Sequence, residues 1–266
     1  MSGLSFRSPH RRRAMRVGLG TLVAALASVG VLSGRSATAD VGPDRAELIA
    51  RLVSAYPATA GVGAGGRLVV RGRTIPVAQV RTAGTVQDRM STATIGDQFS
   101  IPYPRGCPLR TPGNDDDPGR LRNEPFFRAM YGGLRTEVAK TLKPVKWFGS
   151  TLQATTTNDV DERLVAVAAE LAQRPDLARY LSRPGGGFNW RKIAGENVLS
   201  MHSFGIAFDI NVAFSDYWRW IGGVRTYRNR IPCEIGEVFE RHGFIWGAKW
   251  FHFDTMHFEY RPELLA

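Results

Sequence analysis

The amino-acid sequence predicts an α+β domain in which helices precede and interrupt a small, mainly antiparallel sheet. Apolar residues recur at helical spacing over residues 45–55, 124–142 and 159–173, with start or stop signals beside them. Two C-terminal segments, residues 206–210 and 251–260, alternate apolar and polar residues or are dense in aromatics, as strands are. With 266 residues, 43% of them hydrophobic, the chain can bury one substantial core.

The N-terminal part of the chain holds few predicted elements. A helix is predicted over residues 45–55 and a short hairpin over residues 67–77. Residues 81–123 are rich in Gly, Pro, Asp and Thr and are predicted to form a long loop, which in a compact domain is usually functional or disordered. Tyr103 and the arginines of residues 117–122 are candidates to line a substrate cleft, and a solvated linker is the open alternative.

Regular elements follow the loop. The helix over residues 124–142 is predicted to break at its two adjacent glycines, and residues 145–156 are predicted as strand. Asn158 is the predicted N-cap of the next helix, because its side chain can accept a hydrogen bond from the first turn. A turn rich in Pro and Gly precedes a predicted strand that carries Arg191. Pro232 opens a last helix, which ends at a His-Gly pair.

Two imidazoles and two carboxylates lie in two short C-terminal segments of a chain that has only five histidines. His202 and Asp209 are separated by Gly205 and an apolar run, which suits a loop ligand that turns through the glycine into a strand carrying the second ligand. His257 is a candidate third ligand at the end of a strand or strand-loop, and Asp254 lies three residues before it. Three ligands, an open position for water and a spare carboxylate as base are the components of a catalytic zinc site.

These residues form two motifs, Ser-x-His-x-x-Gly-x-Ala-x-Asp at residues 200–209 and Asp-x-x-His at residues 254–257. The chain therefore resembles the zinc D,D-peptidases that share a fold with the Hedgehog signalling domain. That group holds VanX- and VanY-like D-alanyl-D-alanine carboxypeptidases and L-alanyl-D-glutamate endolysin peptidases. The resemblance covers roughly residues 151–265 and implies the Hedgehog/DD-peptidase fold.

The resemblance also implies site residues and a cofactor. It assigns His202, Asp209 and His257 as ligands of Zn²⁺ and Asp254 as the general base, at a position where some members carry Glu. Family members use an arginine upstream of the first histidine to bind substrate and stabilise the oxyanion. Arg191 is the position matched to that arginine.

Neighbouring residues have open roles. The alternative for Asp254 is a carboxylate that hydrogen-bonds a ligand histidine. Glu259 would share the strand face of His257 and is either a partner of that histidine or a substitute base. Ser200 is a turn residue or, as the resemblance favours, a substrate-binding residue. His252 is expected to be a packed histidine, because the mechanism requires no role from it.

The chain has two cysteines, Cys107 and Cys233. In an oxidising compartment such a pair favours one disulfide, and two unpaired buried thiols are the alternative. Neither cysteine is expected to bind the metal, because there is no Cys-x-x-Cys spacing and nitrogen and oxygen ligands are already available.

The first 39 residues are predicted to be a cleaved secretory signal. Arginines precede an apolar run at residues 17–32, and small residues follow at 37–39. An uncleaved anchor is the alternative, but the run is shorter than the ~20 residues that span a bilayer, so no stable membrane span is expected in the mature protein. The predicted organisation is a signal segment (1–39), an N-terminal extension with the long loop (40–123) and a zinc peptidase domain (124–266).

The net charge of the chain indicates which classes of binding partner to expect. The whole chain has 35 basic and 24 acidic side chains, for a net charge of +11, and loss of the six arginines in residues 1–39 leaves +5. A moderately basic exported protein is attracted to an anionic cell wall. No basic stripe with interleaved aromatics follows residue 40, which argues against a nucleic-acid partner.

Together these features predict an exported zinc metallopeptidase, periplasmic, wall-associated or extracellular, that hydrolyses peptidoglycan stem peptides. The D-alanyl-D-alanine carboxypeptidase reaction is the first expectation. An endopeptidase that cuts between L-alanine and D-glutamate or within a cross-bridge is the alternative among enzymes. A non-catalytic zinc-containing wall-binding module is the alternative of another class, and the spare carboxylate of Asp254 favours the enzyme.

Overall fold

The computed structural model describes residues 43–81, 83–221 and 226–266, which belong to one compact unit. The predicted signal segment, residues 1–39, lies outside the described residues. The helices within the described residues are Arg45–Ala55 (α1), Val86–Arg89 (α2), Glu124–Tyr131 (α3), Arg135–Ala139 (α4), Val160–Leu171 (α5), Ala178–Leu181 (α6) and Cys233–Arg241 (α7). None of them combines the length and the apolar character needed to cross a bilayer.

The strands form small antiparallel sheets, so the α+β prediction is confirmed. They are Ala60–Gly63 (β1), Arg67–Val70 (β2), Arg73–Ile75 (β3), Leu142–Trp147 (β4), Ser150–Thr155 (β5), Pro184–Gly186 (β6), Ala207–Asn211 (β7), Phe244–Trp246 (β8) and His257–Tyr260 (β9). β1, β2 and β3 form one sheet in that order, and β4 pairs with β5. The third sheet has the order β6-β7-β9-β8 and carries the candidate site.

Strand β9 has one face in the hydrophobic core and the other face at the candidate site, because its side chains alternate in direction. Phe258 points into the core, where its ring stacks between Phe239, at a centroid distance of 3.8 Å, and Trp246, at 5.5 Å. His257 and Glu259 lie on the opposite face of the strand, because successive side chains of a strand alternate in direction. Packing of Phe258 therefore fixes the register that presents His257 to the site.

One hydrophobic core joins the N-terminal and C-terminal parts of the chain. Its buried side chains include Leu48 and Leu52 of α1, Phe126 of α3 and Phe258 of β9. The helix predicted over residues 124–142 is interrupted as expected at Gly132, where φ is 128°, and its last part is replaced by the start of β4.

Two details of the predicted elements are wrong. Asn158 does not cap α5, because its side chain accepts a hydrogen bond from the Thr59 hydroxyl (2.7 Å) and donates one to the Tyr131 hydroxyl (3.3 Å). Asp159 precedes the helix instead, with a φ of 57°. Arg191 does not lie on a strand, because the glycine-rich segment before it pairs with β7 as β6 and residues 187–200 retain only the isolated bridge of Lys192 with Leu199.

The segment predicted as a long loop is more regular than expected. It contains α2 and two single 3₁₀ turns, Met90–Thr92 and Gly96–Phe99. Asp97 holds this region together, since its buried carboxylate accepts hydrogen bonds from the side chain of Arg81 (2.5 Å) and the backbone of Thr94 (2.8 Å). A polar sequence can thus order itself around one buried carboxylate.

Candidate active site

The first motif folds as a 3₁₀ turn that leads into a strand. His202 lies in the turn Met201–Phe204, and Gly205 follows with a φ of 69°. A Cβ atom at Gly205 would lie 2.7 Å from the side chain of Leu142, so both the backbone conformation and the packing require glycine. The chain then enters β7, which carries Asp209.

The second motif places His257 directly opposite Asp209. His257 is the first residue of β9 and not the last residue of a strand, and in the antiparallel pairing of β7 with β9 it is the register partner of Asp209. Cross-strand neighbours on one face have side chains close enough to share a ligand. The sheet therefore brings together two residues that are 48 positions apart.

Three side-chain atoms converge at this place. The Nε2 atom of His202 lies 3.2 Å from Nδ1 of His257 and 3.2 Å from Oδ1 of Asp209, and the latter two atoms are 3.0 Å apart. Four-coordinate zinc has Zn–N and Zn–O distances of about 2.0–2.2 Å, which correspond to separations of about 3.3–3.6 Å between ligand atoms. The triangle is slightly smaller than that and matches the face of such a tetrahedron.

Hydrogen bonds on the far side of both rings orient them. Nδ1 of His202 donates to the backbone carbonyl of Gly187 (2.7 Å), and Nε2 of His257 donates to Glu259 (3.1 Å). In the neutral tautomers that a metal would select, the remaining ring nitrogens, Nε2 of His202 and Nδ1 of His257, are acceptors and face the Asp209 carboxylate. Three converging acceptors of this kind suit a metal cation, so the donor set fits zinc.

The electrostatics of the group also favour a cation. Burial would raise the pKa of Asp209, but His202 and His257 hold it well below its ordinary value. Burial would lower the pKa of His257, but its hydrogen bonds to Asp209 and Glu259 raise it to about 10. The two carboxylates thus stabilise positive charge at this position.

Asp254 lies near the three candidate ligands but is not one of them. Its backbone forms an isolated bridge with Tyr217, and its carbonyl accepts a hydrogen bond from the backbone of His257 (3.1 Å). Its buried Oδ1 has no hydrogen-bond partner among the described residues. Burial and the charge of Asp209 raise the pKa of this carboxyl to about 6. An unpartnered carboxylate with a pKa near neutrality is suited to accept a proton.

The carboxylate of Glu259, the competing candidate base, is occupied by other hydrogen-bond donors. Its carboxylate accepts hydrogen bonds from Arg122 (2.5 Å), Arg261 (2.9 Å) and His257. Burial would raise its pKa, but the charge of Arg122 and the hydrogen bond of His257 hold it well below the ordinary value. A carboxylate this strongly stabilised as an anion is a poor proton acceptor, so its position favours the role of a partner of His257.

Arg191 and Ser200 lie on the same side of the cleft. The exposed side chain of Arg191 lines it, and the residue's backbone N–H donates to the Ser203 hydroxyl (3.0 Å). Ser200 is buried, lines the cleft and donates its backbone N–H to the carbonyl of Arg191 (3.0 Å). The structure thus places both residues near the candidate ligands without a direct contact to them.

Other cleft residues come from distant parts of the chain. Arg120 and Arg122 line the cleft, as the sequence suggested, whereas Tyr103 is buried elsewhere and donates its hydroxyl proton to Glu240 (2.8 Å). Sequence reasoning missed the aromatic wall of Tyr217, Trp218 and Trp250 and the placement of His252 in the cleft. The aromatic residues near His257 were a usable signal, but no pattern linked residues 217–218 to them.

The two cysteines lie apart from the cleft. Cys107 and Cys233 form a disulfide that joins the loop before α3 to the first residue of α7. The link spans 126 positions of sequence.

Comparison with known proteins adds one finding. No curated protein and no solved structure matches the chain. A family model does match, over the segment that carries the three candidate ligands and Asp254. Residues 194–260 match the peptidase family described as D-alanyl-D-alanine carboxypeptidase, which supports the family resemblance of the two motifs.

Proposed function

We propose that this protein is a zinc-dependent peptidase of exported location that hydrolyses peptide bonds in peptidoglycan stem peptides, with D-alanyl-D-alanine carboxypeptidase as its first reaction. One observation carries the proposal. The acceptor atoms of His202, Asp209 and His257, at most 3.2 Å apart, share a cleft with the unpartnered Oδ1 of Asp254. A ligand set with a separate proton acceptor beside it is the arrangement of a hydrolytic site.

The side chains divide the work of hydrolysis between them. His202, Asp209 and His257 would hold Zn²⁺, which would supply Lewis acidity for activating water and polarising the scissile carbonyl. Asp254, which lines the cleft, takes a proton of the attacking water on its carboxylate and returns it to the leaving amine. Arg191 stabilises the negative charge that develops on the carbonyl oxygen.

The decisive experiment uses purified zinc-loaded protein with pentapeptide, tetrapeptide and cross-linked muropeptides, with and without a chelator, analysed by mass spectrometry. We expect loss of a single D-alanine from the pentapeptide and no loss in the presence of chelator. The His202→Ala variant should lose both zinc and hydrolysis. A His202→Ala protein that cleaves at the wild-type rate would contradict the proposal.

The same experiment separates the alternatives. Products cut between L-alanine and D-glutamate, or separated cross-links, would identify an endopeptidase. Binding to wall material without release of peptide would identify a non-catalytic module. The position of Asp254 argues against the module, because a structural zinc site has no use for a carboxylate with a buried, unpartnered oxygen and a raised pKa.

A further inference from the structure

A buried cluster of three residues forms one wall of the cleft and has no part in the mechanism given above. Asp117, which is 1% exposed, accepts hydrogen bonds from Nδ1 of His252 (2.5 Å) and from Nη1 of Arg120 (3.3 Å) through one carboxylate oxygen. Its other oxygen accepts from the backbone N–H of His252 (2.9 Å). Because both oxygens are engaged, Asp117 serves as an anchor that sets the positions of Arg120 and His252.

Arg120 has donors to spare. Its side chain is 8% exposed and lines the cleft, and within the described residues only its Nη1 atom has a hydrogen-bond partner. Arg122 differs, since its three nitrogens donate to Glu259 and to the backbone of Arg120. Of the two buried arginines in the cleft, Arg120 is the one with two side-chain nitrogens, Nε and Nη2, that have no partner among the described residues, so it is the better placed to offer hydrogen bonds to a ligand.

Among the described residues, Asp117 is the only carboxylate that pairs with Arg120. Asp117 is shared with His252, and the cleft wall beyond it is built from the aromatic side chains of Tyr217 and Trp218. A largely buried guanidinium with open donors is stabilised by a carboxylate, whose two oxygens match its planar fork. The cleft also holds Asp254 and the three candidate ligands, so an anion bound by Arg120 would lie a short distance from the reacting bond.

We infer that Arg120 receives the C-terminal carboxylate of the substrate and so makes the enzyme specific for the end of a peptide. Asp117 is a positioning residue for Arg120, and His252 fixes Asp117 from the other side. The inference rests on the proposed function and extends it, since it names the group that the enzyme recognises beyond the scissile bond.

The test compares one peptide ending in D-alanyl-D-alanine with the same peptide as its C-terminal amide. For the wild-type enzyme we expect kcat/KM to be about 10–100-fold higher for the free acid, because hydrogen bonds to a charged group contribute about 1.5–3 kcal/mol. Arg120→Gln should raise KM for the acid by a similar factor and leave the kinetics of the amide nearly unchanged. Equal wild-type kinetics for acid and amide would overturn the inference, and so would an Arg120→Gln variant that loses activity equally on both.

Two further variants separate recognition from folding. Asp117→Asn should raise KM for the acid and leave kcat and the amide kinetics close to wild type, a pattern that a general loss of structure would not produce. Arg135→Gln is the matched control, because Arg135 is exposed on α4 and lies outside the cleft. It should leave the preference for the acid unchanged.

A binding measurement keeps the inference separate from the proposed function. Calorimetry on the zinc-loaded Asp254→Asn protein should show tighter binding of the free acid than of the amide, by about tenfold or more, and Arg120→Gln in that background should remove the difference. If the wild-type enzyme hydrolyses neither peptide, the proposed function fails and the binding difference still decides the role of Arg120. If it hydrolyses both equally well, the peptidase proposal stands and the inference fails.

Discussion

At the scale of single residues, the carboxylates of Asp254 and Glu259 show how environment assigns different roles to similar groups. Glu259 is buried between two arginines and a histidine, whereas Asp254 is half-buried and faces the charge of Asp209 with an unpartnered oxygen. The first is held as an anion and the second is poised to exchange a proton. Divergent environments of this kind mark the acid-base groups of active sites.

Replacing Asp254 tests its role as the base. Asp254→Asn keeps the size of the side chain and removes its proton affinity, so we expect kcat to fall by about 10²–10⁴-fold with the zinc content unchanged. Steady-state kinetics and metal analysis of the same preparation measure both quantities. Asp254→Glu retains a carboxylate and should keep far more activity than the amide; equal losses in the two variants would argue against general base catalysis.

The acidic side of the pH–rate profile provides a second check of Asp254. The base must be ionised to act, and its pKa is raised to about 6 in the metal-free site. Bound zinc adds positive charge and lowers this value. Activity should therefore fall as the pH decreases through about 6 or somewhat below, and a profile that stays flat to pH 4 would be inconsistent with this assignment.

Glu259 is expected to act on the metal through His257. Glu259→Gln removes the charge that orients this ring, and loss of such a partner typically costs about 10–100-fold in metal affinity. Competition with a chelator on the folded protein measures the change. Glu263→Gln is a matched control, because Glu263 pairs with Arg261 and Tyr56 in the same buried network and does not contact the histidine. If both variants bind zinc equally well, Glu259 has no orienting role.

At the scale of elements, the sheet that carries the site was largely predictable. The glycine between His202 and Asp209 and the alternation around them are local signals, and local signals determine the turn and β7. The pairing of Glu259 with Arg122 was not predictable, because Arg122 lies 137 positions away and only packing of the whole chain brings it to β9. The prediction that Asn158 caps α5 is wrong for the same reason, since its side chain accepts a hydrogen bond from a residue 99 positions upstream.

Removing the disulfide tests how much a single link between two elements contributes to stability. The disulfide closes a long loop between the segment before α3 and the start of α7, and loss of a bond of this kind typically costs about 2–5 kcal/mol of unfolding free energy. Urea denaturation of the Cys107→Ser/Cys233→Ser double variant should show that decrease with zinc binding preserved. A reductant should destabilise the wild-type protein and have no effect on the double variant.

At the scale of the whole molecule, a chain of buried charges connects the site to the N-terminal helix. Arg261 donates to Glu259 (2.9 Å) and Glu263 (2.5 Å), and Tyr56 of α1 donates its hydroxyl proton to Glu263 (2.5 Å). All of these side chains are buried. The pairing is incomplete at one atom, because the buried Nη2 of Arg261 has no hydrogen-bond partner among the described residues. Removal of one member would still leave the other charges without a counter-charge in a buried setting.

Arg261→Met tests that network. We expect a loss of about 3–5 kcal/mol at neutral pH, because Glu259 and Glu263 would lose their shared cation in a buried setting. Arg241→Met is the matched control, since Arg241 makes an exposed ion pair with Glu170, which should contribute at most about 1 kcal/mol. Chemical denaturation of both variants gives the comparison, and similar losses in the two would contradict the role of the buried network.

The same network predicts the response of the wild-type protein to acid. The pKa of Glu259 is held below its ordinary value in the folded state, so its ionised form stabilises the fold above about pH 4.3, the ordinary value for Glu. This stability should be lost progressively as the pH falls below that value. Denaturation curves between pH 3 and 7 measure the trend, and unchanged stability down to pH 3 would show that the pairing contributes little.

The link between Tyr56 and Glu263 has a practical consequence for shortening the protein. A fragment that begins at residue 124 still encodes both ligand motifs, but it lacks Tyr56 and Arg122. Glu259 would lose one of its two cations and Glu263 the only hydroxyl that reaches it within the described residues. The smallest piece that carries the motifs therefore lacks part of the buried network, and we expect a stable expression fragment to begin ahead of α1.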